Sequence, residues 1–328
     1  MININPLITL CIPTYNSALY LSETLSSIAA QTYENIEVII SDNASTDETP
    51  DIIKSYCDRY GWSFYRNEVN IGAGNNFNKL IDLANGEYIA IYHADDIYDP
   101  TIVEKSVYAF QQSDNIGLVG TMGTVINSLN QFIYPFYFPT CFGSNQSLLG
   151  FDDVLNGILS SNNHEILLIT PSIMVKKECY QLLGAFQINE RYKSAGDYEM
   201  WLRIAHSYQV HIINEQLIHY RIHAGQGSET EIRQSLEIND IIIVMGDYIQ
   251  KSSDLQLQRN YSKWRDRLLI RTALKQNAAS LYDKSNTTLN EITEIKYLFP
   301  KLFLNFLNNL KLAAPFRYLR TLYRTLRK

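Results

Sequence analysis

The sequence predicts an α/β fold: a mixed, mostly parallel sheet flanked by helices, followed by an all-helical C-terminal region. Three observations carry this. Short β-branched or aromatic runs alternate with segments of helical spacing through the N-terminal third, the order that right-handed crossovers produce. Residues 36–40 are almost continuously apolar, as a strand buried on both faces must be. Beyond about residue 228 every periodic segment has helical spacing.

In chain order, a strand is predicted over 7–12 and a helix over 18–31. A second strand at 36–41 leads to a helix over 49–60, whose start places acids near the positive end of its dipole. A strand at 62–65, a helix at 75–84 and a strand at 88–92 follow, then a helix over 100–113 opened by Pro100. After residues 117–120 the pattern turns antiparallel or irregular, with aromatic residues through 132–142. Helices are expected at 151–159 and 177–183 with a strand at 169–175 between them. The segment 197–207 is an amphipathic helix with Trp201, Leu202 and Ala205 on one side. The remaining helices fall at 232–249, 264–278, 288–298 and in two short segments to the end. The domain boundary is placed near Gly227, giving an α/β domain over 1–228 and a helical region over 229–328.

The 328 residues are 46% hydrophobic and 19% charged, which excludes wholesale disorder. The net charge of −6 is unevenly spread: from residue 311 to the end there are six basic residues and no acid. The rest carries 22 basic and 34 acidic side chains, so the body is a poor match for nucleic acid. Cys11, Cys57, Cys141 and Cys179 have no C-x-x-C spacing, which argues against a zinc knuckle or a redox pair. Without a secretory signal or a run of 18 apolar residues, a cytoplasmic location is expected.

Ligands of open α/β sheets bind beyond the carboxyl ends of the strands. Three predicted ends carry polar segments: Pro13-Thr14-Tyr15-Asn16, Ser41-Asp42-Asn43-Ala44-Ser45-Thr46-Asp47 and His93-Ala94-Asp95-Asp96. Neither G-x-G-x-x-G nor G-x-x-x-x-G-K-[ST] is present, which argues against a dinucleotide site and a P-loop. Asp95 and Asp96 leave a buried strand together, and such a pair needs a cation or hydrogen-bond donors. Hard carboxylate oxygens suit Mg²⁺ or Mn²⁺. A turn or helix cap at these positions is an equal alternative on the residues alone.

Taken together the segments resemble the family 2 glycosyltransferases, nucleotide-sugar-dependent enzymes of the GT-A fold. The family's opening P-x-Y-N and its Q-T-Y-x-N-x-E-[VI]-I are matched by Pro13-Thr14-Tyr15-Asn16 and Gln31-Thr32-Tyr33-Glu34-Asn35-Ile36-Glu37-Val38-Ile39. Its D-[DN]-x-S-x-D turn is matched from Asp42 to Asp47, its N-x-G by Asn70-Ile71-Gly72, and its A-x-G-E-Y-I from Ala84 to Ile89. The D-x-D region falls on His93-Ala94-Asp95. Gly196-Asp197-Tyr198-Glu199-Met200-Trp201-Leu202-Arg203 is similar to the [ED]-D-x-x-[LM]-W-x-R element, and Tyr220-Arg221-Ile222-His223 with Ser228 to the closing Y-R-x-H…S.

The resemblance implies inverting, metal-dependent transfer of a hexosyl or N-acetylhexosaminyl group. The donor would be a nucleotide-diphosphate sugar, foremost a UDP-sugar, and the acceptor a glycan or lipid-linked hydroxyl in surface polysaccharide synthesis. Pro13, Thr14 and Tyr15 would line the base pocket, with Tyr15 stacking on the base. Asp42 would accept a hydrogen bond from the base's imide N–H. Gly72 would let backbone pass close to the nucleotide. Asn75, Asn76 and Asn78 would offer amides nearby, helix-start capping being the equal alternative. His93, Ala94 and Asp95 would follow the nucleotide sugar, Asp95 binding Mn²⁺ or Mg²⁺ directly, with His223 completing the cation shell or touching the diphosphate. Asp197 would be the general base that takes the acceptor proton.

Three positions depart from the family pattern: Phe77 where many members carry Arg, His93 in place of the first acid, and Gly196 where an acid is frequent. His93 and Gly196 keep open a catalytically impaired relative that serves as a nucleotide-sugar-binding or scaffold subunit. In the tail, Phe316, Leu319, Leu322, Tyr323 and Leu326 share a helical face opposite Arg317, Arg320, Arg324 and Arg327. That pattern makes residues 313–326 a candidate for peripheral contact with an anionic membrane.

Overall fold

The computed structural model describes residues 5–143, 146–161, 164–226 and 235–314. Two compact units divide the chain: Met1–Glu190 with Gly196–His223, and Arg191–Ala195 with Ala224–Lys328. The expected boundary at Gly227 lies outside the described residues.

The first unit is built on ten strands: β1 (Ile8–Thr14), β2 (Ile36–Asp42), β3 (Ser63–Arg66), β4 (Tyr88–Ile91), β5 (Ile97–Tyr98), β6 (Ile116–Asn127), β7 (Phe132–Pro135), β8 (Leu148–Leu149), β9 (Met174–Lys176) and β10 (Gln209–Ile222). The spatial order is β3-β2-β1-β4-β9-β6-β10-β5, with β7 on β6 and β8 on β10. The long pairings are parallel, β1 with β2 from Ile8↔Ile36 to Thr14↔Asp42 and β6 with β10. Short β9 runs antiparallel to both β4 and β6. Two reversals restore direction, so the carboxyl end of β10 reaches the same edge as those of β1, β2 and β4. This topology is what allows residue 223 to meet residue 95.

Helices α1 (Ala18–Ala29), α2 (Thr49–Tyr60), α3 (Ala73–Leu83), α4 (Ile102–Phe110), α5 (Phe151–Ser160), α6 (Lys177–Leu183) and α7 (Gly196–Ser207) complete this unit. Leu10 and Ile12 of β1 pack in one buried cluster with Leu21 and Leu25 of α1 and Val103 and Val107 of α4. Cys11, on the opposite face of β1, meets the carbonyl of Leu80 on α3. Both faces are therefore covered, which accounts for the continuous apolar runs.

Elsewhere the expected elements are redrawn. The strand anticipated at 169–175 is a 3₁₀ turn at Thr170–Ser172 followed by β9. Pro171 has no N–H to give a ladder, so pairing begins after it. The central strands β6 and β10 are much longer than the periodicity suggested.

In the second unit lie α8 (Ile241–Ile249), α9 (Leu255–Ala278), α10 (Tyr282–Asn290) and α11 (Leu298–Asn309). Asp254 caps α9 by accepting from the N–H groups of Gln256 and Leu257. Trp264, Leu269, Ile270, Leu289 and Leu304 are buried. Buried Asp266 accepts from the N–H groups of Thr293 at 2.8 Å and Glu294 at 2.7 Å, fixing the link between α10 and α11. The helix anticipated at 288–298 is instead the end of α10, a 3₁₀ turn and the start of α11. Of the segment expected at 232–249, the described part becomes helical at Ile241.

Candidate active site

At the end of β2, Asp42 is fully buried. Its carboxylate accepts from the Ser45 N–H at 3.1 Å, from the Ser45 hydroxyl and from the Thr14 hydroxyl at 3.3 Å. The Arg66 Nε lies 3.2 Å away. Across from it the loop after β1 is latched: the Asn16 N–H donates to Ser45 Oγ at 2.8 Å, and Asn16 Oδ1 accepts from the Thr46 N–H at 2.9 Å. Asn16 and Ala44 both adopt positive φ, 48° and 64°, conformations that these interlocking bonds hold in place. The result is a rigid floor made of Pro13, Thr14 and Asp42, with half-exposed Tyr15 next in the chain.

Behind this floor runs a ladder of amides. Asn43 Nδ2 donates to Asn70 Oδ1, while Asn43 Oδ1 accepts from Asn67 and from the Ile71 N–H. Asn76, buried, exchanges hydrogen bonds with Ser41. Gly72 has φ 83° with open space where a Cβ would stand, so backbone there is accessible to a ligand. Asn75 donates to the Ile71 carbonyl, and Asn78 exchanges two 2.9 Å bonds with the backbone of Phe186. Both amides are thus committed to holding backbone.

The end of β4 differs. Side-chain ligand atoms of His93, Asp95 and Asp96 all lie within 4.8 Å of one another. His93 Nε2 and Asp96 Oδ2 are buried without a partner among the described residues. Burial pushes the Asp96 carboxyl well above the usual carboxylate range, and Asp95 beside it pushes further. Burial lowers the pKa of His93, favouring the neutral imidazole that can bind a metal, against opposing pulls from Asp95 and Asp197. An imidazole nitrogen and a carboxylate oxygen, both buried and unpartnered among the described residues, beside a second carboxylate fit a divalent cation.

His223 is not part of that trio. Its Nε2 lies 2.9 Å from Asp95 Oδ2, and its ring meets that of Tyr20 at 4.8 Å. Burial pushes the Asp95 carboxyl up, but the hydrogen bond from His223 and the neighbouring histidine charges outweigh this and hold it below its ordinary value.

Asp197 opens α7. Its Oδ2 accepts from the Thr170 hydroxyl at 2.7 Å and its Oδ1 from the Tyr198 N–H at 2.8 Å. Trp201 Nε1 in turn reaches Thr170 Oγ1 at 3.3 Å. Burial raises the pKa of Asp197, with Thr170, the Tyr198 N–H and His93 pulling it down. Between these groups stand aromatic rings: Phe77 stacks on His93 with centroids 6.3 Å apart and meets Phe186 edge-on at 5.6 Å.

Besides Arg66 at Asp42, sequence reasoning missed two residues. Arg221, fully buried, donates from its backbone N–H to Asp96 Oδ1 at 2.8 Å and from Nε to the Asp95 carbonyl at 2.7 Å. Its guanidinium also pairs with Glu23 at 2.6 Å, binds Asn130 and lies over Tyr20. A lone Arg inside the Y-R-x-H pattern was the available signal. Thr170, which fixes Asp197, had none.

The family model described as Glycosyl transferase family 2 matches residues 9–154. An uncharacterized glycosyltransferase of Rickettsia prowazekii is 31% identical over 240 residues, covering 72% of this chain and 70% of its own length. The abequosyltransferase of Salmonella typhimurium is 47% identical over 94 residues, 27% of this chain and 28% of that protein. In structure, the chain is similar to S. aureus TarS 1-349 in complex with UDP-GlcNAc, with a TM-score of 0.59 and 17% identity over 98% of this chain and 90% of that one. A mannosyltransferase from Pyrobaculum calidifontis in complex with GDP-Man and Mn²⁺ gives a TM-score of 0.60 at 17% identity, covering 99% and 86%. At such identities the structural likeness is one of fold.

Proposed function

The chain belongs to glycosyl transferase family 2, and on that premise we propose an inverting, metal-dependent sugar transfer. The donor is a nucleotide-diphosphate sugar, a UDP-sugar being the first to test and a GDP-sugar the second. The acceptor is a hydroxyl of a glycan or lipid-linked saccharide in surface polysaccharide synthesis. The observation that supports this is the pair of buried atoms His93 Nε2 and Asp96 Oδ2, unpartnered among the described residues, beside Asp95.

His93, Asp95 and Asp96 would hold the cation, with His223 orienting Asp95. One imidazole with two carboxylates suits Mn²⁺ better than Mg²⁺, which prefers oxygen and water. A bound cation supplies charge neutralisation at the leaving diphosphate. Tyr15 stacks on the base, while Asp42 keeps its loop rigid beneath it. Asp197, held by Thr170, takes the proton of the acceptor hydroxyl. Its raised pKa makes it a stronger base than a free carboxylate. Peripheral membrane contact through residues 313–326 belongs to the same reading, since lipid-linked acceptors lie in that plane; from residue 315 onward this segment falls outside the described residues.

Thermal shifts over a panel of nucleotide sugars with Mn²⁺, followed by transfer assays, test the proposal. Metal-dependent stabilisation by one donor is expected, weakened about tenfold or more in Asp95→Ala. No response to any nucleotide sugar would sink it. Binding without turnover would favour the scaffold reading, for which His93 in place of an acid is the supporting feature.

A further inference from the structure

Helix α11 turns only part of its surface inward. Leu304, Leu307 and Asn308 are buried, while Phe299 (73% exposed), Leu302 (57%) and Phe306 (58%) stand in solvent. Ile295, Leu298, Leu310 and Leu312 are exposed around them. Residues 299, 302, 306 and 310 recur at three- and four-residue steps and so share one helix face. Single exposed apolar side chains are ordinary, but a contiguous stripe marks a surface that something covers.

The charge beside the stripe identifies what. From residue 295 to residue 328 the sequence holds eight basic residues and no acid. Lys296, Lys301 and Lys311 are near the stripe in sequence, and the other five follow within residues 317–328. Buried Asn277 donates to the Leu312 carbonyl at 3.0 Å and accepts from the Ala314 N–H at 2.8 Å. The backbone is therefore pinned to α9 at the point where the basic segment begins. A second copy of this chain docked on the same face would bring two such segments together, like charge against like. An anionic bilayer satisfies both the apolar side chains and the cations. Among the described residues no helix is long and apolar enough to cross a membrane, so the helix would lie in the interface.

We propose that the exposed face of α11 is a docking surface for an anionic lipid bilayer. Phe299, Leu302 and Phe306 insert among the acyl chains, and Lys296 and Lys311 meet headgroup phosphates, while Lys301 is held on the Ile292 carbonyl at 3.0 Å. This extends the membrane-contact reading of the tail and is independent of the donor chemistry.

Flotation of the full chain with vesicles of phosphatidylcholine alone, and of phosphatidylcholine mixed with phosphatidylglycerol, tests it. Flotation with the anionic vesicles only is expected, and Leu302→Glu with Phe306→Glu lowers the bound fraction by about tenfold or more. Both side chains are exposed, so the variant's thermal melting stays unchanged. Three results overturn the proposal. The full chain fails to float with anionic vesicles; the double variant floats as well as the parent, including when Arg317→Glu with Arg320→Glu abolishes flotation, which leaves the tail as sole anchor; or the double variant converts a dimer to a monomer with no flotation in either, which makes the face a self-interface.

Discussion

Two strand ends in this molecule carry buried carboxylates, and they are treated in opposite ways. At the end of β2, Asp42 has its oxygens taken up by Thr14, Ser45 and Arg66. At the end of β4, Asp96 has one oxygen on the Arg221 N–H and the other without a partner among the described residues, next to a His93 nitrogen in the same condition. An unpaired buried polar atom costs about 1–3 kcal/mol, so two in one place are a reason to look for a ligand there. On the function proposed above, the first carboxylate holds architecture and the second end is the cation's receptacle. Polarity at a strand end therefore does not by itself mark a cation site. What marks it is bonding capacity that the protein leaves unused.

The largest effect expected of any substitution extends that contrast to the third carboxylate. Asp197 is partnered by Thr170 and the Tyr198 N–H, yet its burial keeps its basicity raised. Asp197→Asn is expected to lower kcat by about 10²–10⁴-fold while leaving donor affinity within a factor of about two. Single-turnover rates and equilibrium titration separate the two quantities, and near-parent turnover would remove Asp197 from the chemistry.

Next in size is Asp42→Asn. An amide can still accept from the Ser45 N–H but forfeits the charge that faces Arg66, at a cost of about 1–3 kcal/mol in chemical denaturation. The matching change at the other end should have the opposite sign. A carboxyl with a raised folded pKa contributes stability below the ordinary carboxylate range and loses it as pH rises through the raised value. Asp96 is such a group, its pKa raised by burial and then by Asp95. With EDTA present, Asp96→Asn is therefore expected to stabilise the fold increasingly from pH 4 to pH 8, by about 1.4 kcal/mol for each unit of pKa elevation relieved. If both variants destabilise equally at pH 8, the contrast between the two ends is gone.

The same contrast explains what could be read from the chain. Strands β1, β2 and β4 were legible because both faces are covered, leaving uninterrupted apolar runs such as Val38-Ile39-Ile40. Strand β10 was not, because Asn214, Glu215 and Gln216 sit exposed at register shifts in its middle and break the period. Strand β6 hid behind Gly117, Gly120 and Gly123, which read as breaks but admit Tyr208, Ile212 and Ile218 at close range. The choice of Asp42, His93, Asp95, Asp197 and His223 as candidate residues followed from motif order. Their division of labour did not, because it depends on Arg66, Thr170 and Arg221 arriving from distant parts of the chain.

The smallest expected effect falls on helix α3, where three asparagines within one turn have three different environments. Asn76 is buried against Ser41, and Asn78 holds the backbone of Phe186 in two bonds. Asn75 is exposed and donates only one hydrogen bond, to the Ile71 carbonyl in the turn that leads from Gly72. Replacing an exposed residue that makes one local bond costs about 0.5 kcal/mol or less. Asn75→Ala should therefore melt within a degree or two of the parent. Donor affinity is the sharper reading of this variant, because Asn75 is the one amide of the three with a face turned to solvent beside Gly72. A loss of donor affinity of about tenfold with no change in melting would move Asn75 from the architectural group into the receptacle, and the division between the two strand ends would then have to be drawn through α3.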